Sequence, residues 1–281
     1  MNKKKAIIIG SCHARPLCAT LMRSKSMTRV FTLTAFPAVH IATAAQVKKL
    51  HIELSSIDLV ITQNITETYR GRIGLGTTTI KKLLNKDCRV IIYPSTYWNG
   101  YNPELFILKD DTGKTVTDTF DYHHRLIFNG FVAGKSQKEV CDSIVQSYPY
   151  EFATKPEQGL LELETRELDF DIKIASFIKR NFRRQRLFWT FNHPSMIIFH
   201  VIGKQILQKL GFPQDLPEPL LDEMLKNTVY PILPYIKEML NIHFPDEMIF
   251  KIKNEVLSPK ATVDKYFRFY DANQRLVSCN A

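Results

Sequence analysis

No stretch of this sequence approaches the roughly 18 uninterrupted apolar residues needed to span a bilayer, which excludes a helical integral membrane protein. Met1-Asn2-Lys3-Lys4-Lys5 has the charge of a secretory leader, but the apolar run behind it, Ala6 to Ile9, stops at Gly10. No export signal is expected from so short a run. There is no Cys-x-x-Cys pair, and the five cysteines (Cys12, Cys18, Cys88, Cys141, Cys279) are scattered and odd in number. Neither a disulfide framework nor a zinc knuckle follows, so a metal-free protein of the reducing cytoplasm is expected. Low-complexity tracts, internal repeats and a Pro/Gly/Ser linker are also missing. With 44% apolar and 23% charged residues, the composition is that of an ordinary folded chain.

Positive charge is in excess, 38 Lys and Arg against 28 Asp and Glu, a net +10. Such a surface attracts polyanions: nucleic acid, anionic lipid at a peripheral membrane contact, or a phosphorylated small molecule. Net charge does not choose among these, and it also serves solubility. A length of 281 residues allows one large domain or two small ones.

Lys5–Ile9, Val30–Leu33, Ile57–Thr62 and Arg89–Tyr93 are short β-branched or apolar runs that predict strands. Pro16–Met22, Thr43–Leu54 and Gly76–Leu84 have helical character and lie between them. Strands alternating with helices predict a doubly wound, mostly parallel α/β sheet, whose ligands sit beyond the carboxyl ends of the strands. Past about residue 135 the pattern turns helical: Lys138–Gln146, Leu168–Asn181, Ser195–Leu210, Glu218–Lys226 and Val229–Leu240. A fifth strand is expected over Arg186–Phe191. The chain thus divides into an α/β portion (1–135) and a mainly helical portion (136–281) within one functional unit.

Cys12 closes the first strand at a strand-to-helix turn, where a helix N-terminus favours thiolate and backbone N–H groups can hold an oxyanion. The plain alternative is a small cysteine packed under the sheet. His193 follows the fifth strand, so a Cys–His pair of nucleophile and base is open to it; Asn192-His193-Pro194 is equally a turn and helix cap. Asp121-Tyr122-His123-His124 has Asp-x-x-His spacing but closes no expected strand. Gln63 and Asn64 follow the third strand, as amide donors or as turn formers. Arg70-Gly71-Arg72-Ile73-Gly74-Leu75-Gly76-Thr77 pairs glycines with cations before a helix, a phosphate-binding composition that lacks the Gly-Lys-Ser/Thr ending of a P-loop. Lys179 to Arg186 is the densest basic run, a solvated face or a second phosphate contact.

Gly10-Ser11-Cys12-His13, Ile61-Thr62-Gln63, Ile92-Tyr93-Pro94, Asn99-Gly100-Tyr101-Asn102-Pro103 and Arg183 to Pro194 resemble the WcbI family of capsular polysaccharide biosynthesis proteins. The resemblance spans roughly residues 5 to 210, and its last block is the most specific. It implies a fold similar to the SGNH/GDSL hydrolases, coenzyme A binding and O-acetylation of a capsule sugar. Cys12 then stands where the SGNH serine stands, Gln63 near the oxyanion asparagine and His193 near the catalytic histidine. Two positions depart from the pattern. Thr190 occupies the place of the SGNH aspartate, and Ser11 and His13 replace the Asn and Gln that usually flank the family's cysteine.

The leading expectation is therefore an acetyl-CoA-dependent O-acyltransferase with a sugar or glycan precursor as acceptor. Cys12, His193 and Gln63 are its expected catalytic residues. Ser11, His13, Arg70, Arg72, Arg183, Arg184, Arg186 and Asn192 are its expected cofactor contacts. An SGNH-type thiol esterase or deacetylase is the second reading. A nucleic-acid-binding module is the third, disfavoured because no recognisable binding motif is present.

Overall fold

Four β-branched runs pair in parallel: β1 (Lys4–Ile9), β2 (Phe31–Ala35), β3 (Leu59–Gln63) and β4 (Arg89–Tyr93), in the order β2-β1-β3-β4. The register sets Ile8 beside Ala35 and Ile61, and Gln63 beside Tyr93. Interior β3 is buried along its whole length, as a strand covered on both faces must be. Edge strand β2 alternates buried Phe31 and Leu33 with exposed Thr32 and Thr34.

The helices α1 (Ala14–Leu21), α2 (Lys25–Val30), α3 (Ala44–Leu54) and α4 (Thr77–Leu83) connect or flank these strands. Thr43 starts α3 with a capping box: its side chain accepts from Gln46 N, and its own N–H reaches Gln46 Oε1 at 2.8 Å. Leu50 and Leu54 of α3 and Ile80 of α4 then bury against Ile7, Ile9 and Val60 of the sheet. Each such side chain is worth roughly 1.5–3 kcal/mol relative to exposure. In an order that runs 2-1-3-4, the winding reverses between β1 and β3, and the ligand crevice opens at their carboxyl ends.

The structure, a computed structural model, describes residues 3–71, 73–117, 119–146, 152–221 and 223–281. The chain forms two compact units, Met1–Thr96 with Glu162–Lys179 and Pro194–Leu225, and Tyr97–Leu161 with Arg180–His193 and Lys226–Ala281. A division near residue 135 is the sequence expectation; the units instead interleave three chain segments each. The first holds the parallel sheet. The second is built on aromatic packing, with Phe120 stacked on Tyr266 at 4.1 Å and Trp98 edge-on to Tyr101 at 4.9 Å.

Four expectations need correction. The strand over 186–191 forms only at Phe188–Thr190, and it pairs with His193–Pro194 rather than with the parallel sheet. Its carbonyls are taken locally: Trp189 O accepts from Tyr230 N (3.2 Å) and Phe191 O from Trp98 N (2.8 Å). The outer edge of β4 is likewise occupied, with Ile92 N donating to Asp171 Oδ2 (2.8 Å) and Ile92 O accepting from Ile172 N (3.2 Å). The helix expected over 168–181 begins only at Ala175, where Glu167 accepts from the N–H groups of Ile174 and Ala175. Among the described residues of 218–226, a segment that Pro217 and Pro219 introduce, no helix forms, and the one expected from Val229 starts at Pro234, a residue that suits the first turn.

Candidate active site

Gly10 is the first constraint on the site. A Cβ there would lie 2.5 Å from the Tyr93 hydroxyl and 2.9 Å from Gln63 Oε1, so any larger residue would force these side chains to move. Ser11 and Cys12 follow, half-buried, and α1 begins at Ala14 with His13 as its cap. Cys12 therefore sits just ahead of a helix N-terminus, where partial positive charge favours an anionic sulfur. Cys18, inside α1, differs: burial pushes its thiol up to about 11, so it packs rather than reacts.

Gln63 holds the turn. Its Oε1 accepts from Ser11 N–H at 2.7 Å, and because a backbone N–H only donates, the amide's orientation is determined. Its Nε2 then faces His13 Nδ1 at 3.0 Å as a donor, which makes Nδ1 an acceptor and places the ring proton of His13 on Nε2. His13 is 2% exposed and edge-on to Phe199 at 5.6 Å. With Nδ1 engaged by Gln63, it acts as a strut under the turn. The Ser11 N–H is likewise engaged and is no oxyanion donor. Gln63 keeps a second amide hydrogen for that role.

Tyr93, beside Gln63 in the register, is wholly buried, and its hydroxyl has no hydrogen-bond partner among the described residues. Burial, reinforced by Cys12 nearby, holds the phenol far above its ordinary range. Tyr93 is thus a neutral donor next to the cysteine turn, kept at a cost of roughly 1–3 kcal/mol for an unmade hydrogen bond. A cavity of about 80 Å³ opens at the carboxyl ends of β1, β3 and β4, between Ser11, Gln63 and Ser95 and the apolar Val39, Ile65 and Tyr69.

The second unit holds the other cluster. Tyr122 hydroxyl lies 2.7 Å from Asn192 Oδ1 and 3.2 Å from His193 Nε2. Thr190 Oγ1 also donates to Asn192 Oδ1, at 3.1 Å. Of the Asp121–His124 motif, His123 and His124 are buried, which pushes both down to about 3 and keeps them neutral. His123 Nδ1 meets Tyr270 hydroxyl at 3.0 Å. His124 Nε2 lies 3.6 Å from Glu104, whose carboxyl burial raises to about 8. At neutral pH the two are a neutral pair, not an ion pair.

The model of the family described as polysaccharide biosynthesis enzyme WcbI matches residues 5–215. The chain belongs to the WcbI family. A solved structure of WcbI, described as a polysaccharide biosynthesis enzyme in a native form without the disulfide bond between coenzyme A and a cysteine, is similar to this chain. The TM-score is 0.79 at 22% identity, covering 99% of this chain and 98% of that one, a likeness of fold. No curated protein matches.

In this WcbI-family chain the expected phosphate contacts separate. Arg183 and Arg184 are exposed. Arg186 is half-buried: it pairs with Asp246, and its Nε donates to Phe188 O at 3.0 Å, which braces the second unit. Asn192 is engaged by Tyr122 and Thr190. Arg72 and the Arg70 side chain lie outside the described residues. Among the described residues no helix is long and apolar enough to cross a membrane. Tyr93 and Tyr122 are not legible as site residues in the sequence, since a buried tyrosine has the same apolar signature as core; only Tyr93's place at the end of β4 points toward the crevice.

Proposed function

We propose that this chain is an acyl-CoA-dependent O-acyltransferase that esterifies a sugar hydroxyl in polysaccharide biosynthesis, working in the cytoplasm where Cys12 stays reduced. The observation that carries this reading is the cysteine turn closing β1, braced by Gln63 with an unpartnered phenol beside it. The polysaccharide family of the chain supports the sugar acceptor. The coenzyme A named with the similar solved structure supports the donor. The residues present fit a thioester: a thiol to attack it, and the Tyr93 hydroxyl and second Gln63 amide hydrogen to meet the developing oxyanion. Exposed Arg183 and Arg184 supply charge for phosphates.

Bound acyl-CoA supplies an activated acyl group. The Cys12 thiolate attacks the carbonyl, giving acyl-Cys12 and releasing coenzyme A as its thiol with the proton the cysteine gave up. The sugar hydroxyl then attacks acyl-Cys12 and its proton returns to the departing thiolate; His193 is the base proposed for these transfers.

Calorimetry with coenzyme A and intact-protein mass spectrometry after incubation with acetyl-CoA test this. Binding, with an acetyl adduct lost in Cys12→Ala, is expected. Absence of binding at millimolar ligand overturns the proposal. Hydrolysis of a simple acetyl ester without coenzyme A, lost in Cys12→Ala, would replace it with an esterase.

A further inference from the structure

We infer that the cavity beside the cysteine turn receives the acyl group bound for Cys12, and that Val39, Ile65 and Tyr69 limit its length. They admit acetyl and propionyl and turn away butyryl and longer chains. The inference deepens the acyltransferase reading and rests on Cys12 taking the acyl group.

Size decides what the cavity can hold. An apolar cavity of about 150 Å³ takes benzene, a ring of six carbons. On that scale the cavity of about 80 Å³ holds roughly three or four non-hydrogen atoms, as many as acetyl or propionyl has. A sugar ring or a pantetheine arm does not fit. The lining is two-sided, as an acyl group is. Ser11, Gln63 and Ser95 offer polar groups to a carbonyl oxygen, while Val39, Ile65 and Tyr69 offer an apolar face to the alkyl end. Ser11 sets the polar side next to Cys12 in the chain.

The apolar walls are fixed by main-chain bonds. Val39 N–H donates to Gly10 O at 3.0 Å, which ties that wall to the cysteine turn itself. Ile65 is held at both main-chain groups by one residue: its N–H donates to Thr77 Oγ1 at 2.8 Å, and its carbonyl accepts from Thr77 N–H at 2.9 Å. Thr77 Oγ1 in turn donates to the Gln63 carbonyl at 3.1 Å, so one hydroxyl sets both the wall and the strand end that carries the amide. Val39 and Ile65, 2% and 7% exposed, belong to one apolar cluster with Ile9 and Val60 of the sheet, and half-buried Tyr69 packs against it. A longer acyl chain would have to displace close-packed core that has little room to relax.

The test is a chain-length series on the full chain, read by intact-protein mass spectrometry. It uses acetyl-, propionyl-, butyryl- and hexanoyl-CoA and the p-nitrophenyl esters of the same acids. In both series the acyl carbon passes to the Cys12 sulfur, and coenzyme A thiol or p-nitrophenol leaves; loss of the adduct in Cys12→Ala identifies the site. The acylation rate is expected to fall about 10- to 200-fold with the first methylene beyond propionyl, the discrimination that an apolar pocket gives. Ile65→Ala, with the milder Ile65→Val and Val39→Ala beside it, should raise the butyryl-to-acetyl ratio about tenfold by making room for a methylene. A residue with only a packing role would change both rates together. Equal rates across the wild-type series, an unchanged ratio in the variants, or no acylation of Cys12 by either series would overturn the inference. The wild-type comparison needs no variant to fold. The aryl esters need no coenzyme A site, so a length limit seen with them alone would keep the acyl pocket and sink the acyltransferase reading.

Discussion

His13 in the sheet unit and His193 in the aromatic unit are anchored through opposite ring nitrogens. Gln63 donates to Nδ1 of His13 at 3.0 Å, and that ring is buried, at 2% exposure. The Tyr122 hydroxyl meets Nε2 of His193 at 3.2 Å, and that ring is half-buried. The same side chain is thereby a strut in one unit and a candidate base in the other.

The largest effect expected from breaking this contrast is at His193. His193→Gln should lower turnover by roughly 10² to 10⁴, the worth of a general base, with little change in melting temperature. His13→Gln should do the reverse, lowering the melting temperature more than the turnover of the protein that remains folded. Steady-state rates and thermal melts on the two variants, side by side, decide it.

Next in size is a pH effect confined to the aromatic unit. Burial raises Glu104 from an ordinary 4.5 to about 8, so the fold favours its protonated form. Its contribution is full below about pH 4.5 and is lost as pH climbs through 8. His123 and His124, lowered from 6.5 to about 3, favour their neutral forms; their contribution is full above pH 6.5 and lost as pH falls through 3. Glu104→Gln should remove the alkaline limb alone, worth a few kcal/mol, since each tenfold change in a protonation equilibrium is about 1.4 kcal/mol. Melting temperatures from pH 5 to 9 would show the wild type declining at the alkaline end and the variant flat there.

Gln63→Ala should cost about 2–4 kcal/mol in chemical denaturation, since it strands the Ser11 N–H and leaves a cavity. The His13 ring in that variant should show mixed tautomers in the nitrogen spectrum of ¹⁵N-labelled protein, as expected when its Nδ1 donor is lost. The smallest effect is at Tyr93. Tyr93→Phe should lower turnover about tenfold, by the loss of one donor of roughly 1.4 kcal/mol, while stability stays level or rises, because the hydroxyl it removes has no partner. Lost stability together with unchanged turnover would make Tyr93 a packing residue only.

Much of the sheet unit is legible in the sequence because its signals are local. The β-branched runs of β1 to β4 and the Thr43–Gln46 cap are read within a few residues, and strand alternation places Cys12 and Gln63 at adjacent strand ends. The aromatic unit resists because its deciding partners are remote. Trp189 and Phe191 have main-chain partners at Tyr230 and Trp98, and Arg186 pairs with Asp246, none of which spacing reveals. A basic run therefore reads as one phosphate contact, although its last arginine is a half-buried brace. Tyr122 stays hidden because its side-chain partners, Asn192 and His193, lie far along the chain, where spacing does not reveal them.

Gly10 has a consequence for how this site tolerates change. Its missing side chain is the space into which the Tyr93 hydroxyl and the Gln63 amide converge. Substitutions at these three positions are therefore expected to be epistatic. Gly10→Ala should be severely damaging in the wild-type background and markedly less so alongside Tyr93→Phe, which removes the nearer of the two clashing atoms. Directed evolution of the Gly10–His13 turn is then expected to open through Tyr93 first, with few replacements recovered from a library randomised at Gly10 alone.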